Sequence, residues 1–202
     1  MSISCRRQGL PSRAESAMLP RMISWLKRLI ADPRTIGAIA PSSSALAKLM
    51  AKSINPQGKI LELGPGTGSI TRGLLRRIPN PASQLTLMEM DPFMAETCRK
   101  AFPQVQVIEG DALKILQQST EQYDAIVSGV PFAALPKKMR HPLFIEIAKH
   151  LKPGGTFVMF QYSLLTRREL NDYFGEVKTK YTPFNLPPAF VFVAKSKKDK
   201  PA

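Results

Sequence analysis

Beyond Gly58 the chain alternates short apolar runs with amphipathic stretches, and this alternation limits the fold more than any other feature. Strand and helix patterns in alternation are typical of βαβ units, which build a parallel sheet covered by helices. The helical stretches fall at 69–77, 92–102, 111–118, 140–151 and 166–174. The predicted strands fall at 59–63, 85–90, 105–109, 125–128, 156–162, 177–181 and 189–194. The fold class is therefore α/β.

The last two predicted strands have no helix between them, so they are expected to close one end of the sheet as an antiparallel pair. A chain of 202 residues suits one sizeable domain and is too short for separate cofactor and substrate domains. We expect a polar mobile tail at 1–20, N-terminal helices at 21–57, the sheet domain at 58–195 and a basic tail at 196–202.

A glycine-rich loop follows the first predicted strand and leads directly into a helix. Glycines let the chain turn tightly and approach a ligand closely. The loop lacks the lysine of a phosphate-binding P-loop, and Ser69 stands where the dinucleotide fingerprint needs Gly or Ala. It therefore favours a ligand with an adenosine, a ribose and an amino-acid portion but no pyrophosphate. The loop comprises Glu62, Leu63, Gly64, Pro65, Gly66, Thr67 and Gly68.

Two acidic residues follow the next two predicted strands. Glu89 can accept hydrogen bonds from both ribose hydroxyls, and Asp111 can accept one from an adenine amino group. Both would lie with the glycine loop at the carboxyl ends of parallel strands, where open α/β sheets bind ligands. The alternative is that each carboxylate only stabilises a turn or caps a helix.

The chain is strongly basic, since 29 Lys and Arg against 15 Asp and Glu leave a net charge of +14. Such a surplus favours a polyanionic partner, either an anionic lipid surface or nucleic acid. With two cysteines and two histidines, neither a disulfide scaffold nor a zinc site is expected. No apolar run reaches the length of a transmembrane helix, so we expect a cytoplasmic protein.

A short amphipathic helix is predicted just after the first twenty residues, ending before Pro33. Its apolar residues can enter the acyl boundary of a bilayer while its basic residues face anionic head groups. The alternative is that the apolar face covers the sheet. The residues expected to bind the membrane are Arg21, Trp25, Leu26, Lys27, Arg28 and Leu29.

Three segments, 62–68, 89–91 and 109–112, resemble the motifs of class I S-adenosylmethionine-dependent methyltransferases. The resemblance implies S-adenosylmethionine as methyl donor, S-adenosylhomocysteine as product, and no metal. The donor-binding residues that it implies are Glu62, Gly64, Pro65, Gly66, Thr67, Gly68, Glu89, Met90, Asp111, Ala112 and Ser128.

A narrower resemblance adds the segments 37–43, 128–132 and 185–189 together with the N-terminal helix. These resemble the bacterial phospholipid N-methyltransferases, which convert phosphatidylethanolamine to phosphatidylcholine. The family implies a Rossmann-like seven-stranded sheet of order 3-2-1-4-5-7-6 and peripheral association with the cytoplasmic face of the membrane. The substrate would then be an amino-phospholipid, contacted by Ser42, Ser43, Pro131, Phe132, Tyr162 and Tyr181.

Two alternative acceptors stay open, another amino lipid such as ornithine lipid, and RNA. The run Gly129-Val130-Pro131-Phe132 resembles the Asn-Leu-Pro-Tyr motif of rRNA adenine dimethyltransferases, in which the Asn side chain recognises the target amino group. Gly129 supplies no amide, which counts against a nucleobase. A protein that only binds the donor, without transfer, is the non-enzymatic alternative.

Methyl transfer to nitrogen needs a neutral amine, whereas a primary amine with a pKa near 10 is neutral in about one molecule per thousand at pH 7. An apolar site beside a cationic sulfonium lowers that pKa, and a nearby oxygen can take the proton. The candidate acceptors are the Tyr162 hydroxyl and the backbone carbonyls of Ser128 and Gly129. Aromatic faces at Phe132, Tyr162 or Tyr181 would attract the methylated cation.

Overall fold

The computed structural model describes residues 43–185 and 187–197. The predicted tail at 1–20, the predicted membrane-binding helix, Ser42 and residues 198–202 lie outside the described residues. The predictions made for them are therefore neither supported nor contradicted by the fold.

Seven strands and seven α-helices alternate through most of the described chain. The helices are α1 Ser44–Ala51, α2 Ser69–Leu75, α3 Pro81–Gln84, α4 Pro92–Ala101, α5 Ala112–Gln118, α6 Lys137–His150 and α7 Leu165–Tyr173, with a 3-10 turn at Phe132–Ala134. The strands are β1 Ile60–Leu63, β2 Leu85–Glu89, β3 Gln106–Glu109, β4 Tyr123–Ser128, β5 Leu151–Gln161, β6 Val177–Thr182 and β7 Ala189–Lys195.

Element boundaries follow local chemistry. α1 begins where the sequence predicts a hydroxyl cap, since Ser43 Oγ accepts a hydrogen bond from the Leu46 amide at 3.1 Å. β5 begins at Leu151, five residues before the predicted start, because Leu151 already pairs with Tyr123. Gly154 and Gly155 lie within this added part of the strand, and glycine weakens the strand pattern of a sequence. α3 was not predicted because four residues show no helical period.

The sheet has the order β3-β2-β1-β4-β5-β7-β6, which confirms the predicted topology. β1 to β5 are parallel, and β7 runs antiparallel to both β5 and β6. β6 therefore runs in the same direction as β5. The carboxyl ends of β1 to β6 meet at one side of the sheet, which we call the carboxyl edge, and the β6–β7 connection lies there too.

The two faces of the sheet carry separate apolar clusters. Neighbouring residues of a strand point to opposite faces, so Ile60 belongs to the cluster that includes α1 and α2, whereas Leu61 belongs to the cluster that includes α6 and α7. All four residues of β1 are buried, as expected for a central strand of a parallel sheet covered on both faces. This central position fixes the glycine loop, which follows β1.

Across the described ranges, no helix has both the length and the apolar character needed to cross a bilayer.

Candidate functional site

The glycine loop, residues 62–68, lies at the carboxyl edge between β1 and α2. Gly64, Gly66 and Gly68 have φ angles of 65°, 53° and 76°, a region that glycine adopts without strain. The Gly64 amide donates to the carbonyl of Met88 on the neighbouring strand at 2.9 Å. Apart from Gly66 itself and its two chain neighbours, no heavy atom of the described residues lies within 4 Å of the position that a Gly66 side chain would take. The backbone is therefore open to a ligand at this point.

The Gly66 peptide is held from two sides. Its amide donates to Glu89 Oε2 at 3.0 Å, and its carbonyl accepts from the thiol of Cys98 in α4 at 3.4 Å. Burial raises the pKa of the Cys98 thiol to about 11, and the carboxylates of Glu62 and Glu89 act in the same direction. The thiol thus keeps its proton at neutral pH and acts as a donor that supports the loop.

Glu89, the last residue of β2, is 7% exposed and accepts three backbone hydrogen bonds. Besides the Gly66 amide, the amides of Met90 and Asp91 donate to Oε1 at 2.9 and 3.0 Å. A carboxylate has roughly four acceptor positions, so Oε2 keeps one position for a ligand. Glu89 can therefore accept a hydrogen bond from one ribose hydroxyl directly. To accept from both hydroxyls, as predicted, an acceptor position would have to be shared between a hydroxyl and one of these amides.

Glu62 is fully buried in β1, and in the described structure neither of its carboxyl oxygens has a hydrogen-bond partner. The hydroxyl of Thr71, in α2, is likewise buried and unpartnered. Burial raises the pKa of the Glu62 carboxyl to about 8, with Glu89 adding to the rise and Thr71 opposing it. The group is therefore mostly protonated at neutral pH. A cation bound beside it would favour loss of that proton.

Replacing Glu62 by glutamine is expected to stabilise the protein in alkaline solution. In the unfolded chain the carboxyl ionises near pH 4.5, whereas in the folded chain it does so only near pH 8. The folded state binds more protons across this window, so the parent loses stability as the pH rises through it. Above pH 8 the variant should melt about 5 °C higher than the parent, with little difference below pH 4.5. Thermal unfolding followed by circular dichroism measures this.

Glu176→Gln is the matched control, since Glu176 is exposed and its carboxylate forms an ion pair within the described residues only with Lys178, at 3.3 Å. Its melting temperature should follow the parent at every pH. A Glu62 variant whose advantage does not grow with pH would contradict the raised pKa.

Asp111 lies beside the end of β2, because the amide of Gly110 donates to the Glu89 carbonyl at 2.8 Å. Its Oδ1 accepts from the Leu113 amide at 2.9 Å and so caps α5. Its Oδ2 has no hydrogen bond within the described chain and is available to a ligand. Capping and the predicted contact with an adenine amino group are thus compatible. The remaining predicted donor-binding residues occupy the same loops, with Pro65 buried, Met90 and Ala112 half-buried and Thr67 exposed.

The loop after β4 packs directly against the glycine loop. The Gly129 amide donates to the Leu63 carbonyl at 2.9 Å, and Ser128 Oγ accepts from the Val130 amide at 3.1 Å. A Cβ atom on Gly129 would lie 2.5 Å from the Gly64 carbonyl oxygen. Real Cβ atoms do not approach so closely, so this backbone accommodates no side chain at position 129.

Gln161, the last residue of β5, is a site residue that the sequence analysis missed. It is buried, its Oε1 accepts from the Ala133 amide at 3.2 Å, and its Nε2 lies 3.5 Å from the Val130 carbonyl. The side chain therefore joins β5 to the loop after β4. A polar residue at the end of an apolar strand was the available signal.

Phe132 does not lie where the sequence analysis placed it. It is fully buried, and its ring stacks on Phe144 of α6 at 4.5 Å and meets Phe157 edge-on at 6.1 Å. The structure therefore corrects the predicted contact with substrate, because this ring belongs to the core. Pro131, immediately before it, is half-buried and remains at the carboxyl edge.

Tyr162 follows β5 at the carboxyl edge, and its hydroxyl is buried without a hydrogen-bond partner among the described residues. Burial raises the pKa of the phenol, an effect that Asn185 partly opposes. The phenol is neutral at pH 7, so it can accept a hydrogen bond from an amine but is a poor acceptor of the proton itself. This narrows the predicted role of Tyr162 to orienting the amine.

Asn185 joins the start of α1 to the β6–β7 connection at this edge, and the sequence predicted no role for its side chain. Its Oδ1 accepts from the Ser43 amide at 2.9 Å, and its Nδ2 donates to the Pro187 carbonyl at 2.7 Å. Ser43 is therefore at the carboxyl edge, as its predicted substrate contact requires. Tyr181, the third aromatic residue predicted to contact the substrate, lies on β6, which β7 separates from β5, and its ring packs on Phe190 at 5.3 Å.

The carboxyl edge thus presents an unpartnered buried carboxyl, a free acceptor position on Glu89 and a free oxygen on Asp111 beside an open stretch of glycine backbone. These groups fit a cationic nucleoside that carries ribose hydroxyls and an amino group. The residues that the structure describes contain no group of three or more His, Cys, Asp or Glu side chains able to hold a metal. The fold and the site together define the class of a Rossmann-like methyltransferase.

Comparison with known proteins agrees with this class. The family model described as a methyltransferase domain matches residues 60–155. An ornithine lipid N-methyltransferase of Singulisphaera acidiphila is 33% identical over 185 residues, which cover 87% of this chain and 96% of that protein. The chain therefore belongs to the class I S-adenosylmethionine-dependent methyltransferases.

A further relative and a solved structure show how far the likeness extends. The ribosomal RNA small subunit methyltransferase A of Chlorobium chlorochromatii is 31% identical over 116 residues, but these are only 41% of that protein. The crystal structure of the glycopeptide N-methyltransferase MtfA, complexed with S-adenosylhomocysteine, superposes with a TM-score of 0.61 over 81% of this chain and 95% of that one. At 15% identity this match shows the shared fold alone.

Proposed function

We propose that this protein methylates the head-group amine of a membrane amino lipid, with S-adenosylmethionine as donor. The observation that carries the proposal is the match to an ornithine lipid N-methyltransferase along nearly the whole of both chains. The acceptor predicted from the sequence is phosphatidylethanolamine, with RNA or another amino lipid such as ornithine lipid as the alternatives. The relative favours ornithine lipid, so this is the acceptor to test first and phosphatidylethanolamine the next.

The site also argues against a nucleobase acceptor. In the rRNA dimethyltransferase motif that residues 129–132 resemble, the first residue supplies a side-chain amide. Position 129 has no space for a side chain, because Gly64 O would lie 2.5 Å from its Cβ. Restoring the amide would therefore require the loop itself to move. The rRNA methyltransferase relative also extends well beyond the matched part.

Different residues at the carboxyl edge would bind the methyl donor and orient the acceptor amine. Glu62, Glu89 and Asp111 would hold the donor through its charge, ribose and adenine. Bound S-adenosylmethionine supplies an electrophilic methyl group for in-line displacement. Gln161 fixes the loop after β4, and the Tyr162 hydroxyl accepts a hydrogen bond from the amine. Alignment and exclusion of water are then the main contributions of the protein.

The membrane surface is the second part of the proposal. Arg21, Lys27 and Arg28 of the predicted N-terminal helix contribute about 1 kcal/mol each at an anionic surface, hence about 3 kcal/mol together. This is enough for reversible docking, with Trp25, Leu26 and Leu29 adding apolar burial. We propose peripheral association with the cytoplasmic face of the membrane.

The test supplies labelled S-adenosylmethionine with ornithine lipid, phosphatidylethanolamine or total RNA in parallel reactions. Label in the lipid extract, greatest with ornithine lipid, is the expected result. Label in phosphatidylethanolamine alone would select the other lipid, and label in RNA alone would overturn the proposal. Lipid analysis after expression in a host that lacks both products repeats the test in cells.

A further inference from the structure

Five large apolar side chains are strongly exposed among the described residues, and all five lie at the carboxyl edge. Isolated exposed apolar residues are normal on a protein surface, but they are usually scattered. Here the opposite edge of the described sheet has none. The five are Phe93 at 74%, Leu164 at 50%, Leu165 at 83%, Tyr181 at 55% and Phe184 at 82% exposed.

Topology places three of these residues beside Tyr162 and the loop after β4, which we call the acceptor half of the site. Leu164 and Leu165 follow β5 within four residues of Gln161. Phe184 lies in the β6–β7 connection, which returns to β5 through the pairing of Phe190 with Gln161. Phe93 lies instead after β2, beside Glu89, in the half of the site that would bind the donor.

Positive charge surrounds this part of the edge. Lys137 and Lys138 open α6, which follows the loop after β4, and Arg168 lies in the first turn of α7. All three are exposed, and none takes part in an ion pair within the described ranges. The nearest acidic group of α7, Glu169, is already paired with Arg140 at 2.8 Å. The edge therefore combines apolar tips with uncompensated cations.

The chain before Ser43 also leaves from this place. The Ser43 amide is bonded to Asn185, one residue from Phe184. The basic amphipathic helix predicted from the sequence belongs to this preceding segment, at 21–30, outside the described residues. A partner that is both apolar and anionic would match the exposed apolar side chains and the unpaired cations of this edge.

We propose that Leu164, Leu165, Phe184, Lys137 and Lys138 form a lipid-docking surface that seats the acceptor half of the site on an anionic bilayer. The inference rests on the proposed function and names the partner of the same site. Apolar tips enter the boundary between head groups and acyl chains while the lysines face anionic head groups. An amino-lipid head group then reaches Tyr162 and the loop after β4 without leaving the membrane.

The test compares the full-length parent with the double variant Leu165→Glu/Phe184→Glu. Co-sedimentation uses vesicles of phosphatidylglycerol and phosphatidylcholine in equal parts. The affinity of the variant should fall about tenfold, because two apolar contacts are lost and two negative charges face the anionic surface. The control Gln117→Glu/Gln118→Glu adds the same charge at the exposed end of α5, on the opposite edge, and should pellet like the parent.

Three results would overturn the proposal. One is a variant affinity within about threefold of the parent, since docking at this surface predicts a larger loss. Another is a parent that RNA retains and vesicles do not. The third is a variant with a lowered melting temperature and weakened donor binding, which would mean that these side chains pack against the chain itself.

A separate assay distinguishes failure of this proposal from failure of the proposed function. With ornithine lipid dispersed in detergent micelles, docking on a bilayer is not needed, so the double variant should methylate at the rate of the parent. If the parent methylates no lipid in micelles, the proposed function is wrong whatever the vesicles show. If micelle activity is normal but vesicle binding is unchanged by the variant, only the docking surface is wrong.

Discussion

Replacing Glu89 by glutamine is expected to weaken S-adenosylmethionine binding about a hundredfold, the loss that removal of one or two hydrogen bonds to a charged group predicts. The carboxylate accepts from the amides of Gly66, Met90 and Asp91 and keeps one position for the ligand. Glutamine offers one oxygen and an NH2 group that cannot accept, so at least one of these amides loses its partner. Isothermal titration calorimetry measures the loss.

Glu109→Gln is the matched control for this experiment. Glu109 ends β3 in direct register with Glu89, but it is exposed and pairs with Arg99 at 3.1 Å. Its variant should bind the donor like the parent. Unaltered affinity in the Glu89 variant would refute the role of this carboxylate in the site.

Replacing Gly129 by alanine is expected to damage both stability and donor binding. The added Cβ would meet the Gly64 carbonyl oxygen at 2.5 Å, and this oxygen belongs to the backbone, which cannot rotate away as a flexible side chain can. Overpacking of this kind costs about 2 kcal/mol, which lowers the melting temperature by about 5 °C. Because the glycine loop must shift to relieve the contact, affinity for S-adenosylmethionine should fall at least about tenfold.

Gly175→Ala serves as the comparison, since its nearest neighbours lie 3.5 Å or more from the Cβ position. Its variant should keep the melting temperature and the donor affinity of the parent. If the Gly129 variant binds the donor as tightly as the parent, the two loops are not packed as tightly as the structure places them. Position 129 would then have room for a side-chain amide as well.

The α/β architecture and the strand order follow from features that are local in sequence. Apolar runs such as 60–63 and 85–88 are buried on both faces of the sheet, so burial leaves a pattern that the sequence displays. Glycines at 64, 66 and 68 mark a turn with positive φ angles, which few other residues adopt. The methyltransferase class was predicted from this loop and the two carboxylates that follow, and the comparisons confirm it.

The acceptor half of the site was predicted less well, because its residues come from distant parts of the chain. Phe132 is an aromatic residue of the kind that attracts a methylated cation, but its ring stacks on Phe144 and lies in the core. Gln161 and Asn185 form hydrogen bonds to backbone groups of distant segments, and no local sequence pattern predicts such bonds. Their roles depend on long-range contacts that only folding creates.

By itself, the sequence determined the class of fold, the donor loop and the excess of positive charge, since these depend on residue type and short-range spacing. The tertiary structure decided which groups are left without partners at the carboxyl edge, which position has no room for a side chain, and which apolar residues face outward. Burial and packing depend on the whole chain, so neither can be read from one segment at a time.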